Sequence, residues 1–179
     1  MSDNQIEQIY KFCGRLRNLD KGETVRLKRA AGKTLAEASG LVQLLFFNLL
    51  REGVEREHEE TYFLVATLYP LAEASSKLAS LGTALQRYRR RLSDPETLDR
   101  RVRRLLEADK TRLPFLVRQT VRLLADKDQK IHWPTLLKDL LLWNSENRYV
   151  QMRWARDYWA TKADKAAIPT EEMYPDSQD

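Results

Sequence analysis

The chain has 179 residues, of which 42% are hydrophobic and 32% charged, with only 6 glycines and 6 prolines. This composition suits a folded helical protein and argues against wholesale disorder and against the many tight turns of a β-sandwich or barrel. The single cysteine, Cys13, excludes an intrachain disulfide and a cysteine metal cluster. The start of the sequence lacks the basic and apolar regions of a signal peptide, and the most apolar stretch, 41–50, is too short to cross a bilayer. We therefore expect a soluble, cytoplasmic protein that does not contact a membrane.

Positive charge is concentrated in one part of the chain. The net charge is +5, but residues 87–156 carry 18 Lys+Arg against 9 Asp+Glu, so the remainder is net acidic. Within this region 14 of the basic residues are arginines and 4 are lysines. Because the planar guanidinium matches phosphate oxygens and gives up hydration more easily than an ammonium, the distribution indicates a polyanionic partner.

Apolar residues at helical spacing predict four helices in the N-terminal half, over about 4–18, 23–31, 34–51 and 57–68. Gly32 and Gly53 end the second and third of these helices, and Pro70 ends the fourth. Thr34 and Glu37 have the spacing of a capping box at the start of the third helix. Apolar residues surround this third helix almost completely, so we expect it to be the central buried helix.

The C-terminal half predicts a short helical stretch after 81–82 and four further helices, which begin near 94, 113, 133 and 145. We predict an all-α fold, a compact bundle of about seven to nine helices, with two helical subdomains as an alternative. The helical domain is expected over 1–163, with a candidate subdomain joint near 72–94. The acidic tail 164–179 lacks apolar periodicity and is expected to be disordered.

The first candidate binding surface consists of arginines outside the apolar stripes of two consecutive helices. On the helix after residue 94, Arg100 and Arg104 point away from the stripe, and its flanks carry Arg101 and Arg103. On the next helix, Arg118 and Arg122 lie four residues apart on the outward side. Nearby acidic residues are too few to neutralise them. The pattern favours phosphate binding, which confers affinity without sequence preference, over a plain solvated face.

A second basic group lies on and after the second helix and consists of Arg26, Lys28, Arg29 and Lys33. It is either ordinary surface charge or a second phosphate contact.

Four tryptophans in the C-terminal part form another group, at positions 133, 143, 154 and 159. Tryptophans beside arginines can stack on unpaired bases, but helical spacing favours a place in the core.

The sequence gives no positive support for catalysis, a metal or a cofactor. His58 and His132 are the only histidines, and neither belongs to a metal-ligand motif. Phosphate-binding glycine loops and a nucleophile elbow are likewise missing from the sequence. A helix-turn-helix reader stays open as an alternative, although no suitable glycine turn joins two short helices in the basic region.

Ordered short blocks resemble CasB, the small subunit of the type I-E CRISPR surveillance complex known as Cascade. The resemblance covers roughly residues 5–160, and its blocks are Leu27-Lys28-Arg29-Ala30, Leu98-Asp99-Arg100-Arg101, Val117-Arg118-Gln119, Ile131-His132-Trp133-Pro134 and Trp154-Ala155. The sequence departs from the family pattern at His132, where an acidic residue is frequent, and at Lys28, where arginine is frequent.

The resemblance implies an all-helical, non-enzymatic protein that assembles with CRISPR RNA-containing Cascade subunits and with a second copy of itself. It also implies that basic residues stabilise the target strand or the displaced strand of DNA. Three residues match basic positions of the family motifs: Arg29, Arg101 and Arg118. The helical pattern alone adds Arg100, Arg104 and Arg122. The alternatives are an adaptor whose arginines bind acidic protein surfaces and, less supported, a nuclease.

Overall fold

The computed structural model describes residues 1–51 and 53–160, and this part of the chain folds into nine α-helices with two short 3₁₀ helices. In chain order the α-helices are α1 Asp3–Arg17, α2 Lys21–Ala30, α3 Gly40–Leu50, α4 Glu59–Leu68, α5 Leu81–Arg89, α6 Glu96–Leu106, α7 Leu113–Ala125, α8 Trp133–Leu141 and α9 Tyr149–Trp159. The 3₁₀ helices η1 and η2 flank α4 at Arg56–His58 and Tyr69–Leu71. Extended structure in these ranges is limited to two isolated bridges. The predicted all-α class is confirmed.

Side-chain caps determine where the first two helices begin. Ser2 and Gln5 form a reciprocal capping box at the start of α1, and Asp20 and Glu23 form another at the start of α2. Because Asp20 caps the helix, α2 begins at Lys21, two residues before the predicted start, and Gly22 lies within its first turn.

The prediction for α3 was wrong in its start and in its burial. Thr34 and Glu37 do exchange hydrogen bonds, but they close a turn, and the helix begins only at Gly40. Three apolar side chains of α3 are exposed: Leu41 by 68%, Leu44 by 60% and Phe47 by 45%. The helix is apolar on every side, whereas α1, α2 and α4 cover only one side of it.

The core runs through both halves of the chain. Helix α5 packs along α9, α1 packs against α8, and α2 packs against α4. Three of the four tryptophans, at 133, 143 and 154, are among the largest fully buried side chains, so their predicted place in the core is confirmed, while Trp159 is 38% exposed. Within the described ranges no helix has the length and apolar character needed to span a bilayer.

Helices α5 and α9 approach each other closely. Gly82 is buried, and a Cβ built there would lie 2.3 Å from the carbonyl oxygen of Trp154. Only glycine allows the two backbones to come this close. The predicted subdomain joint near 72–94 contains the loop that leads into α5, and a division into two subdomains stays a prediction. The predicted acidic tail 164–179 lies outside the described residues.

Candidate nucleic-acid interface

The seven basic residues predicted to bind nucleic acid lie on α2, α6 and α7. All are exposed except Arg118, which is half-buried; the exposed ones are Lys28, Arg29, Arg100, Arg101, Arg104 and Arg122. Among the residues that the structure describes, none of the seven takes part in a salt bridge. Their charge is therefore available to an external anion.

Helix α6 presents its arginines on two sides: Arg100 points away from the apolar stripe as predicted, whereas Arg104, predicted beside it, lies with Arg101 on the side toward α7. Its apolar stripe is buried, so Arg100 projects from the opposite side, where its guanidinium donates only a long hydrogen bond of 3.4 Å to Thr97 Oγ1. Arg101 and Arg104 line a narrow crevice of about 30 Å³ between α6 and α7, together with Gln119. Gln119 is exposed, and an amide beside two guanidinium groups can bind the same phosphate or sugar oxygens. A search for charged residues missed it because it is neutral.

Arg118 joins α7 to the end of α2, which the helical pattern did not predict. Gly32, two residues after the end of α2, has a φ of +105°, and a Cβ built on it would lie 1.7 Å from Arg118 Nη1. The guanidinium therefore packs against the bare backbone of Gly32, three residues after Arg29. This contact explains why Arg118 is half-buried rather than fully outward.

The structure thus brings the predicted residues together in two places. One is the α6–α7 crevice with Arg101 and Arg104, and the other is the contact between Arg118 and the loop after α2, where Lys28 and Arg29 occupy the last helical turn. Adjacent positions on a helix point about 100° apart. The crevice, which Gln119 lines, and the contact of Arg118 with Gly32 therefore lie on neighbouring sides of α7. Arg100 and Arg122 belong to neither place.

Several other arginines are already bound inside the protein. Arg89 pairs with Asp99 at 2.8 Å, and its guanidinium keeps the pKa of that carboxyl below the usual value. Arg153 pairs with the fully buried Asp139. Arg148 donates to the backbone carbonyl of Leu106 at 2.7 Å. Such arginines stabilise the fold and are poor candidates for an external ligand.

One group of potential metal ligands exists in the described part of the chain. Glu55, Glu57 and His58 place their ligand atoms within 4.8 Å of one another, and both glutamates are exposed. Each carboxylate lies 3.8 Å from a ring nitrogen of His58. Ordinary surface pairing accounts for this arrangement, and we assign it no metal.

Comparisons with known proteins agree with one another. The family model described as CRISPR-associated protein Cse2 matches residues 23–159. A CRISPR-associated protein Cse2 of Thermus thermophilus is 36% identical over 109 residues, and this alignment covers 60% of the chain and 61% of that relative.

Solved structures show the same similarity in three dimensions. CasB of M. ruber is 30% identical, with a TM-score of 0.73 over 89% of this chain and 96% of that one. One chain of a CRISPR RNA-guided surveillance complex shares the fold at 16% identity, with a TM-score of 0.73 over 86% of this chain and 92% of that one. From the match over residues 23–159, the chain belongs to the Cse2 family of CRISPR-associated proteins, also called CasB.

Proposed function

We propose that this protein is a non-catalytic small subunit of a cytoplasmic type I-E Cascade complex, and that it binds nucleic acid non-specifically. The binding residues are Lys28, Arg29, Arg100, Arg101, Arg104, Arg118 and Arg122. Its partners are the CRISPR RNA-containing subunits, a second copy of itself, and the target or displaced strand of DNA. Membership of the Cse2 family supports the assembly, as does the fold shared with a chain of a surveillance complex.

Nucleic-acid binding is supported chiefly by one observation: in the part of the chain that the structure describes, the seven basic side chains are not neutralised by carboxylates of the protein. Arginines such as Arg89 and Arg153 are paired with carboxylates, whereas the seven proposed residues keep their charge free of ion pairs within the described ranges. Guanidinium groups on helix surfaces bind backbone phosphates, which carry no sequence information. Base pairing with the guide RNA supplies the specificity, and this subunit holds the strand that pairing places beside it.

Salt dependence tests the proposal directly. If about four to six phosphates are contacted, the logarithm of the association constant falls against the logarithm of salt concentration with a slope of roughly −3 to −5. Reversing Arg101, Arg104 and Arg122 to glutamate removes up to three contacts. The slope should then become shallower by about 2 to 3, and the affinity at 0.1 M salt should fall by about 100- to 500-fold.

The matched control reverses three exposed basic residues on other elements, Arg17, Lys77 and Arg156. This variant has the same net charge as the first but should keep most of the affinity and the slope. Helicity from circular dichroism should be the same for both variants. Equal losses in the two triple variants would show that total charge, rather than the proposed surface, determines binding.

The second candidate function is an adaptor whose arginines bind acidic protein surfaces. The exposed apolar side chains of α3 favour it, since contiguous apolar surface marks sites of protein contact. Free protein that ignores DNA and RNA at low salt, yet co-purifies with the other Cascade subunits, would support this function. Metal-dependent cleavage that is abolished by a carboxylate substitution would be required before a nuclease is considered.

A further inference from the structure

A cleft of about 640 Å³ lies between the N-terminal and C-terminal helices, beside the contact of Arg118 with Gly32. We call it the α4–α7 cleft, because it is lined by the start of α4, by residues 110–118 with the first turns of α7, by the loop after α2 and by the end of α8. Its volume is in the range of sites that bind small organic molecules. Of the seven residues proposed to bind nucleic acid, only Arg118 lines this cleft.

The walls of the cleft combine apolar and cationic groups. Phe63, Leu113 and Leu140 contribute apolar surface, while Lys33 and Lys110 join Arg118 as cations. An anionic ligand with a flat apolar part matches this lining better than an inorganic anion or a purely apolar molecule does. A nucleotide has both parts.

Phe115 supplies a ring that could stack on a base. It lines the cleft, although it is 49% exposed, and it contributes nothing to the buried core. The guanidinium carbon of Arg118 lies 5.5 Å from the ring centroid, a cation–π contact that restrains the ring next to a positive charge. An exposed aromatic ring beside arginine is the arrangement by which proteins hold unpaired bases.

Carboxylates on the α4 side indicate how a nucleotide would be oriented. Glu57 and Glu60 line the cleft, and Glu60 already accepts the backbone N–H of Leu35 at 3.1 Å. Carboxylates repel phosphate but accept hydrogen bonds from base amino groups. The phosphate therefore faces Lys33 and Arg118, and the base edge faces α4.

From these observations we propose that the α4–α7 cleft binds one unpaired nucleotide of the strand held by the basic surface, with its base stacked on Phe115. The site rests on the proposed function and extends it from phosphate binding to base stacking. A base inside a duplex cannot enter the cleft, because it is already stacked and paired. The cleft consequently makes the protein prefer single-stranded over double-stranded nucleic acid.

Phe115→Ala in the full-length chain tests the site, with Phe47→Ala on α3 as the matched control because both rings are similarly exposed. The probes are a fluorescein-labelled 20-nucleotide single strand and the duplex of the same sequence, measured by anisotropy. Phe115→Ala should weaken single-strand binding by about 5- to 150-fold while it leaves duplex binding and the salt slope unchanged. Phe47→Ala should change neither, and Phe115→Trp should retain single-strand binding.

A single strand that carries 2-aminopurine gives a second readout, since stacking on an aromatic ring quenches its fluorescence. Wild-type protein should quench the probe at one position, and Phe115→Ala should not. If Phe115→Ala binds the single strand as tightly as wild type, or weakens the duplex equally, the cleft proposal is overturned, while charge reversal on α6 and α7 continues to test the proposed function separately. If the charge variant loses binding while Phe115→Ala binds normally, the cleft proposal is refuted and the proposed function is retained.

Discussion

Gly32→Ala should lower nucleic-acid affinity although residue 32 carries no charge. The added Cβ would lie 1.7 Å from Arg118 Nη1 and 2.8 Å from its Cζ, distances that no pair of non-bonded atoms tolerates. The long arginine side chain can swing away, so the substitution displaces the guanidinium rather than the helix. The variant therefore moves one cation of the proposed surface without removing it.

Two magnitudes follow from this geometry. Gly32 has a φ of +105°, a backbone conformation that costs a residue with a side chain roughly 1–3 kcal/mol of stability. Losing one phosphate contact should reduce the affinity at 0.1 M salt by about 5- to 8-fold and make the salt slope shallower by about 0.7 to 0.9.

Gly53→Ala is the control that separates these two effects. Gly53 also has a positive φ, +94°, and a Cβ there would meet the amide of Gln8 rather than a basic residue. Urea denaturation should show similar losses of stability for both variants, whereas fluorescence anisotropy should show weaker DNA binding only for Gly32→Ala. In an Arg118→Gln background, Gly32→Ala should have no further effect on affinity. An affinity loss that persists in that background would refute the idea that Gly32 acts by positioning Arg118.

Two further predictions concern the framework that holds the surface. Gly82→Ala should destabilise the protein by about 1–3 kcal/mol in urea denaturation, because its Cβ would meet the α9 backbone, whereas Gly14→Ala, with open space around it in α1, should stabilise by about 0.5–1 kcal/mol. Asp99→Asn should cost about 1–3 kcal/mol at pH 7, because Asp99 accepts hydrogen bonds from Arg89 and from the hydroxyl of Tyr158. Since the pKa of folded Asp99 is lowered, chiefly by Arg89, its contribution is present above about pH 4 and is lost as the pH falls further, so stability measured against pH should decline less steeply in acid for Asp99→Asn than for wild type.

Local sequence signals predicted those helices whose apolar residues form one clear stripe. The start of α7 at Leu113 agrees with the prediction, since a single stripe and a Pro at the second position define the helix without help from the rest of the fold. For α3 the apolar residues surround the helix, so the pattern has no direction, and only the packing of α1, α2 and α4 determines which side is buried. Helix α9 begins at Tyr149, four residues after the predicted start, because Arg148 adopts a positive φ of 48° and reaches toward α6.

The candidate site divides in the same way. Exposure of Arg100, Arg104 and Arg122 follows from their positions relative to one stripe and was predictable from spacing alone. The contact of Arg118 with Gly32 joins residues that are distant in sequence, and no local pattern contains it. Gly32 could be identified from the sequence as the end of a helix, but its second role, leaving room for a guanidinium, depends on how α7 packs across the end of α2.

An excess of arginine therefore indicates a polyanion partner only after the internally bound arginines are subtracted. In residues 87–156, Arg89 and Arg153 are neutralised by carboxylates and Arg148 binds a backbone carbonyl, so part of the surplus serves the fold. The free cations that remain on α6 and α7 lie outside the apolar stripes, and α2 adds Lys28 and Arg29, which shortly precede Gly32 in the sequence. An unpaired guanidinium on a surface contributes little to stability, and neighbouring guanidinium groups repel one another. An anionic ligand that neutralises their charge best explains why they lie together. A phosphate backbone is such a ligand, and the same reasoning predicts that stability should rise when an oligonucleotide is added, by an amount that grows with the logarithm of the affinity that these residues provide.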